Sequence, residues 1–395
     1  MTSPAAPPTT ARCQWLSGLA GLQLLRAEWD ALAAQLAPDS AFHRHDWAVA
    51  WTEVFAPDDL QLLVIRSEDQ VAGIVPLVPW PGTVLGLPIR RYCLLGGLPT
   101  GTTDLSRAGA LLARDLRWGW GATTPLLVHP TCLDAAFAEV QAKLRADLIQ
   151  IQGLPTASLA ATGPFVPRVE LAAPTFRCGT GGTLLGRQRL SKRTRKRFAD
   201  GLAELEAKPG FRLAIEPASA LGPRDLGELA DLEARSRKSA SGASILTSGA
   251  ENREFLASLC RHVATARVAR LHADGRLIAW AFALAAGQQG TGLLLAHDPA
   301  YDDQHAGALA YVLLEEALVG AAALRSYDLG RGEAFWKTQR FLGTPEPRFD
   351  LLLYGPTWRG RLLRLVHAWA ERLLHRPPAA APEPAPPPRL AEESR

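Results

Sequence analysis

Two stretches of this 395-residue chain, roughly two hundred residues apart, repeat one pattern, and that repetition restricts the fold more than any other feature. Leu60–Val78 reads LQLLVIRSEDQVAGIVPLV and Ala266–Leu284 reads ARVARLHADGRLIAWAFAL. Each is an apolar strand, a polar turn centred on an acidic residue, and a second strand with a small residue near its start. An amphipathic helix precedes each copy. Asp46–Phe55 places Trp47, Trp51 and Phe55 at four-residue steps on one face, and Asn252–Ala264 is its counterpart. Gly21–Ala37 and Thr131–Ala146 add helices to the first half. A duplicated helix–hairpin unit in a chain long enough for two domains predicts a tandem α/β (α+β) architecture, each half a mixed, mostly antiparallel sheet flanked by helices.

The copies differ downstream. The first hairpin runs into Pro79-Trp80-Pro81-Gly82. The second turns at Gly287-Gln288-Gln289-Gly290 into a strand, Leu293–Ala296, then a polar loop, His297–His305. From Gly307 a helix is predicted, with Leu309, Val312, Leu313, Leu314, Ala317 and Leu318 recurring at three- and four-residue steps. A strand, Leu324–Leu329, and Gly330-Arg331-Gly332 lead to Lys337, Arg340 and Phe341. A helix opened by small residues leaves its first N–H groups available to a pyrophosphate, so Gln304, His305, Ala306, Gly307 and Ala308 form a candidate cradle. Taken alone, Gln-x-x-Gly is equally an ordinary helix start. The chemistry is therefore expected in the second copy, with the first helping to shape the substrate cleft.

Composition narrows the class. Hydrophobic residues make up 47% and charged residues 21% of the chain, the balance of a soluble globular protein, and a net charge of +4 is too small to mark a DNA-binding protein. Cys13, Cys93, Cys132, Cys178 and Cys260 are odd in number and lack a CxxC pair, which argues against a zinc site and suits a reducing compartment. No secretory leader is visible, and the most hydrophobic window, Leu277–Ala296, is broken by its turn. A cytoplasmic protein without a metal is the expectation. Residues 1–12 and the Pro/Ala-rich 377–395 are expected to be disordered. The ordered parts are then 13–175, 176–356 and a basic amphipathic helix over 357–376.

Charge clusters add candidates. Gly186–Phe198 (GRQRLSKRTRKRF) is dense in Arg and Lys, Arg193 among them. It is either a solvated helix face or a site for an anion: a coenzyme A 3′-phosphate, a nucleotide diphosphate or an anionic lipid. Arg224–Lys238 is an amphipathic helix ending in Lys238 and a Ser/Gly loop that could close over a ligand. His43 and His45 have no acidic or cysteine partner at ligand spacing, and read as solvated or capping residues. Thr357–Arg376 carries Trp358, Leu362, Leu365 and Trp369 on or near one face. It either packs on the core or lies peripherally on an anionic membrane face.

In order and spacing, FHRHDWAVAWTEVF with Ile74–Leu77, SKRTRKRF, LEARSRKSASGASIL, and AHDPAYDDQHAGALAYVLLEEAL with YDLGRGEAFWKTQRF resemble the CelD-like acetyltransferases of bacterial polysaccharide (cellulose) biosynthesis. These are a branch of the GNAT superfamily near the FemAB/FemX transferases. The resemblance spans about Phe42 to Tyr354. It departs from the family at Trp336 (a Tyr there), at Arg237 (a Trp) and at Leu309, where a small residue closes the phosphate loop. It implies tandem GNAT-like domains, the first degenerate, and transfer of an acyl group from acetyl-CoA or a longer acyl-CoA to an amine of a small molecule, sugar or envelope precursor. Asp298, Asp328 and Glu333 are then candidate bases, with His297 nearby, and Lys337 would face the oxyanion. Lys238, Arg331, Trp336 and Arg193 would contact substrate. Asp328 reads equally as a cap on the turn at Gly330, and Lys337 as a salt-bridge partner of Glu333. Two other readings stay open: a FemX-like ligase using aminoacyl-tRNA, and a non-catalytic polysaccharide-assembly protein.

Overall fold

The computed structural model of the chain describes residues 12–68, 70–80, 82–84, 87–96, 126–155, 168–172, 174–179, 190–240, 244–322, 324–331, 337–338 and 341–374. The stretches expected to be disordered at either end lie outside these apart from Arg12, as do Glu333, Trp336 and most of the Ser/Gly loop after Lys238.

The strands are β1 (Arg12–Ser17), β2 (Gln61–Ser67), β3 (Gln70–Pro79), the short β4 (Gly82–Val84) and β5 (Leu87–Ile89), β6 (Arg91–Leu94), β7 (Leu127–Val128), β8 (Leu148–Pro155) and β9 (Arg168–Ala172). They continue as β10 (Thr175–Gly179), β11 (Arg212–Pro217), β12 (Arg267–Ala273), β13 (Arg276–Ala286), β14 (Gln289–His297), β15 (Ser326–Arg331), β16 (Thr344–Glu346) and β17 (Arg348–Tyr354). The helices are α1 (Gly18–Leu24), α2 (Arg26–Leu36), α3 (His45–Phe55), α4 (Leu133–Leu144), α5 (Lys192–Glu206), α6 (Pro223–Arg235), α7 (Ala250–His262), α8 (Ala306–Ala322) and α9 (Trp358–Leu374). The helix read over Gly21–Ala37 is in fact α1 and α2, separated at Leu25.

The duplication is visible in the backbone. In both hairpins a left-handed acidic residue makes the turn, Glu68 at φ 49° and Asp274 at φ 51°. In both, the strand register slips at a residue four positions further on, Ala72 in β3 and Ile278 in β13. The two hairpins thus carry β-bulges at one offset from equivalent turns. The two sheets also match strand for strand. Their orders are β1-β2-β3-β6-β8-β17-β9, with β7 beside β3, and β11-β12-β13-β14-β15-β10-β16. Each pairs antiparallel apart from one parallel neighbour, β6–β8 in the first and β14–β15 in the second. Next to that pair each sheet takes a strand across from the other. After β9 the chain crosses to supply β10 to the second sheet, and after β16 it crosses back to supply β17 to the first. Residues 348–354, which the sequence groups with the second half, thus pair in the first sheet.

One shared core lies between the sheets. Leu62, Val64 and Ile74 of the first sheet and Val268, Trp280 and Phe282 of the second bury their side chains in one cluster with α1–α3, α6 and α7. The paired helices α3 and α7 meet there: the Phe255 ring lies 6.2 Å from Trp47 and 5.3 Å from Phe55. Glu53 accepts from Ser258 Oγ at 2.7 Å and pairs with Arg261 and His262. This position explains why α3 buries Trp47 through Thr52 on nearly every side although its sequence reads as one-faced. On the outer faces, α4 covers the first sheet, and α5 with α8 covers the second.

Candidate active site

The site is built where β14 and β15 part. These strands run parallel, and only Gln289–Ser326, Gly290–Tyr327 and Thr291–Asp328 are in register. Beyond them β14 continues to His297 and β15 to Arg331 without pairing each other. β14 is bent at this point. Its register on β13 passes from Gly292 (opposite Ala283) to Leu294 (opposite Phe282), leaving Leu293 without a cross-strand partner. Such a bulge kinks a strand and re-aims its next residues. Gly292 is what allows it: a Cβ there would stand 2.2 Å from the Tyr311 hydroxyl. Sequence reasoning began this strand at Leu293 and missed the bulge; the isolated glycines Gly290 and Gly292 in an apolar run were its signal.

The fork opens onto α8. A cavity of about 250 Å³ is lined by Leu295 and His297 of β14, Gly307, Ala308 and Tyr311 of α8, Lys238 and Phe341 among others. Leu309 N–H makes the bond to His305 C=O at 2.9 Å, so Ala306, Gly307 and Ala308 supply the first-turn amides ahead of it. Leu309, which departs from the family's small residue, is fully buried in the core beneath the helix and is not among the cavity's lining residues. Gly307 is needed for a different reason: a Cβ would meet His297 Nδ1 at 2.5 Å. His297 in turn bonds Asp302 at 2.7 Å, and Asp302 pairs with Arg237. Lys238 donates to the Leu295 carbonyl at 2.6 Å, on the stretch of β14 that β15 has left. Burial lowers its pKa, against the opposing pull of Glu233.

A second cavity, about 360 Å³, lies between the two halves. Asp39, His43, Arg177, Gln289, Asp328 and Arg348 are among its lining residues. Asp328 sits at the last paired position of the fork. Burial raises its pKa, partly offset by the bond its Oδ1 accepts from Gly330 N–H at 2.7 Å and by Arg177 and Arg348. The capping role and the cleft position therefore coexist in one carboxylate. His43 is held neutral, its pKa taken down to about 4 by burial and by Arg348 and Arg44; it bonds Ser40 Oγ at 2.7 Å.

Other expected residues serve the frame. Asp298 caps the turn at Ala300 (3.0 Å) and pairs with Arg276 at 3.1 Å, away from both cavities. Gln304 reaches outward to Glu204 of α5 at 3.0 Å, and its backbone lies so close to Gly201 that a Cβ there would be 2.5 Å from its carbonyl oxygen. His305, at φ 57°, packs against Phe198 with 5.6 Å between rings. The basic helix α5 is thereby clamped onto the turn that starts α8. Arg193 is exposed on α5. Arg331, half-buried, pairs with Asp350 of β17 at 2.7 Å and joins the two sheets. Lys337 is buried and lines neither cavity. It donates to the carbonyls of Gly330 (3.0 Å) and Arg331 (2.6 Å), and burial brings its pKa down to about 8 against the pull of Asp328. Its ammonium fastens the end of β15. Among the described residues no cluster of three or more His, Cys, Asp or Glu could hold a metal ion.

Comparison with known proteins covers this part of the chain. Residues 192–338 match the family model described as acetyltransferase (GNAT) domain. No curated protein matches the chain. Among solved structures, FemX is similar at 12% identity and a TM-score of 0.55, covering 87% of this chain and 98% of its own. A tandem GNAT protein from the clavulanic acid biosynthesis pathway (16%, TM-score 0.48) covers 88% and 100%. L-PGS from Bacillus licheniformis (11%, TM-score 0.46) covers 88% and 96%. The chain thus carries a GNAT-type acetyltransferase domain over part of its length. Its acetyltransferase domain begins at α5 and ends at Lys337–Thr338, so it contains the fork and both α8-side contacts of the basic helix.

Proposed function

We propose that the chain transfers an acyl group from acetyl-CoA or a longer acyl-CoA to a primary amine on a small molecule, sugar or envelope-polysaccharide precursor. The observation that carries this is the divergence of β14 from β15 at a bulge, directly beneath the N-terminus of α8. The first-turn amides of Ala306, Gly307 and Ala308 suit a diphosphate. The unpaired edge of β14 beyond Leu293 suits an extended amide-bearing arm, and Lys238 already bonds that edge. The thioester supplies the activated carbonyl. The amine reaches the fork from the cavity between the halves and must lose a proton to attack. Asp328, buried at the fork, takes it. Arg177 and Arg348 favour the ionised, proton-accepting form of that carboxylate and partly offset the larger effect of burial.

The test is calorimetry with acetyl-CoA and longer acyl-CoAs on wild type, Gly307→Trp and Lys337→Ala. Gly307→Trp is expected to abolish binding, while Lys337→Ala, which acts on the β15 turn, weakens it less. Undiminished binding by Gly307→Trp removes the assignment of the diphosphate. A second reading, an aminoacyl-tRNA-dependent ligase, is favoured by Lys192, Arg193, Arg195, Lys196 and Arg197. All are exposed on α5, with no ion-pair partner among the described residues. CoA release with an amine acceptor in the absence of RNA distinguishes the two, and its absence with every acceptor tried would favour a non-catalytic role.

A further inference from the structure

The last described helix carries a surface that the transferase site does not use. α9 packs one face on the molecule: Leu363 and His367 are buried, Leu363 beside Leu352 and Tyr354 of β17. His367 Nδ1 bonds the Tyr354 hydroxyl. The helix start is pressed in at Gly360, where a Cβ would lie 2.4 Å from the Gly355 carbonyl oxygen. The other face is open. Trp358, Leu365 and Trp369 are 60%, 69% and 63% exposed. At about 100° per residue these three fall within an arc of roughly 40°, so they form one stripe along the helix. Arg361, about 40° round from the stripe, and Arg364, about 100° round from it, are both exposed, and Arg359 lies 5.2 Å from the Trp358 ring. Glu371 is the one acidic residue in the helix sequence.

We infer that this face docks on an anionic lipid bilayer, with α9 lying in the plane of the headgroups. Tryptophan and leucine flanked by arginine suit a boundary where one side is apolar and the other carries phosphate. The alternative occupant, a second copy, would bring the arginines of one α9 against those of the other with little acidic charge to meet them. The helix is placed to lie on a bilayer rather than to cross it, since among the described residues no helix is long and apolar enough to span one.

The test uses the full chain and vesicles of phosphatidylcholine, with and without phosphatidylglycerol. Sedimentation is expected to bring the protein down with the mixed vesicles only, and added salt to weaken this. Trp358→Ser/Leu365→Ser/Trp369→Ser is expected to lower the partition coefficient at least tenfold. Arg361→Gln/Arg364→Gln is expected to erase the preference for phosphatidylglycerol. Because all five side chains are exposed, both variants should keep the wild-type melting temperature and acyl-CoA affinity, which separates this outcome from misfolding. Absence of wild-type binding to mixed vesicles, binding unaltered by either variant, or a concentration-dependent dimer abolished by the serine variant would each overturn the inference.

Discussion

Gly292 leaves no space for a side chain, and the bulge beside it shapes the fork. Gly292→Ala would drive a methyl group into the Tyr311 ring and hydroxyl, and overpacking of this kind costs about 1–3 kcal/mol. Urea denaturation is expected to show that loss, with Tyr311→Phe restoring part of it. Asp328 makes an opposite prediction. Its native pKa is raised above the ordinary 3.8, so between those two values the native state holds more protons than the unfolded chain. Stability therefore falls as pH rises through that interval. Asp328→Asn removes the charged form while keeping an acceptor for Gly330 N–H. It is expected to be more stable than wild type at neutral pH, with the difference closing below about pH 4. The same substitution should remove catalysis, whereas in wild type kcat/KM should fall on acidification through the raised pKa. An active Asp328→Asn enzyme would assign the proton to another group.

At the scale of elements, α3 and α7 lock the halves together through Phe255, buried between Trp47 and Phe55. Phe255→Ala is expected to cost about 3–5 kcal/mol. Because its contacts are in the core common to both sheets, unfolding should remain a single transition at lower denaturant. Both hairpins, their preceding helices and the strand–loop–helix leading to α8 were legible in the sequence, because strand alternation, acidic turns and helical spacing are local signals. The strand exchange was not: β10 and β17 were not picked out from the sequence, and nothing local tells a strand which sheet it will join. The site was legible to a similar degree. Of the residues named from the sequence, Gly307, Ala308, Lys238 and Asp328 line the cavities, while Asp298, Gln304, Arg331 and Lys337 make contacts within the frame; a polar residue beside a cleft looks alike in sequence whether it faces inward or back toward the backbone. His43 and Arg348 entered the second cavity by long-range packing alone.

For the whole molecule, the reciprocal strands make each half incomplete without the other. A fragment of residues 12–172 would lack β17, which pairs with both β8 and β9, leaving two unpaired edges in the sheet interior. Circular dichroism and proteolysis are expected to find this fragment unfolded. Adding a peptide of residues 348–374 should recover protection if β17 is the missing piece. A stably folded fragment would show that the exchange is dispensable.

That late strand also sets an order of events during synthesis. Gly153 N–H bonds the Asp350 carboxylate, 197 positions further along the chain. The first half can therefore finish its sheet only after the ribosome has made nearly all of the second. Until then the exposed edges of β8 and β9 invite partners from other chains. A newly made chain should accordingly need chaperone protection until β17 has emerged, and the arrival of that strand should decide when the chain becomes resistant to protease.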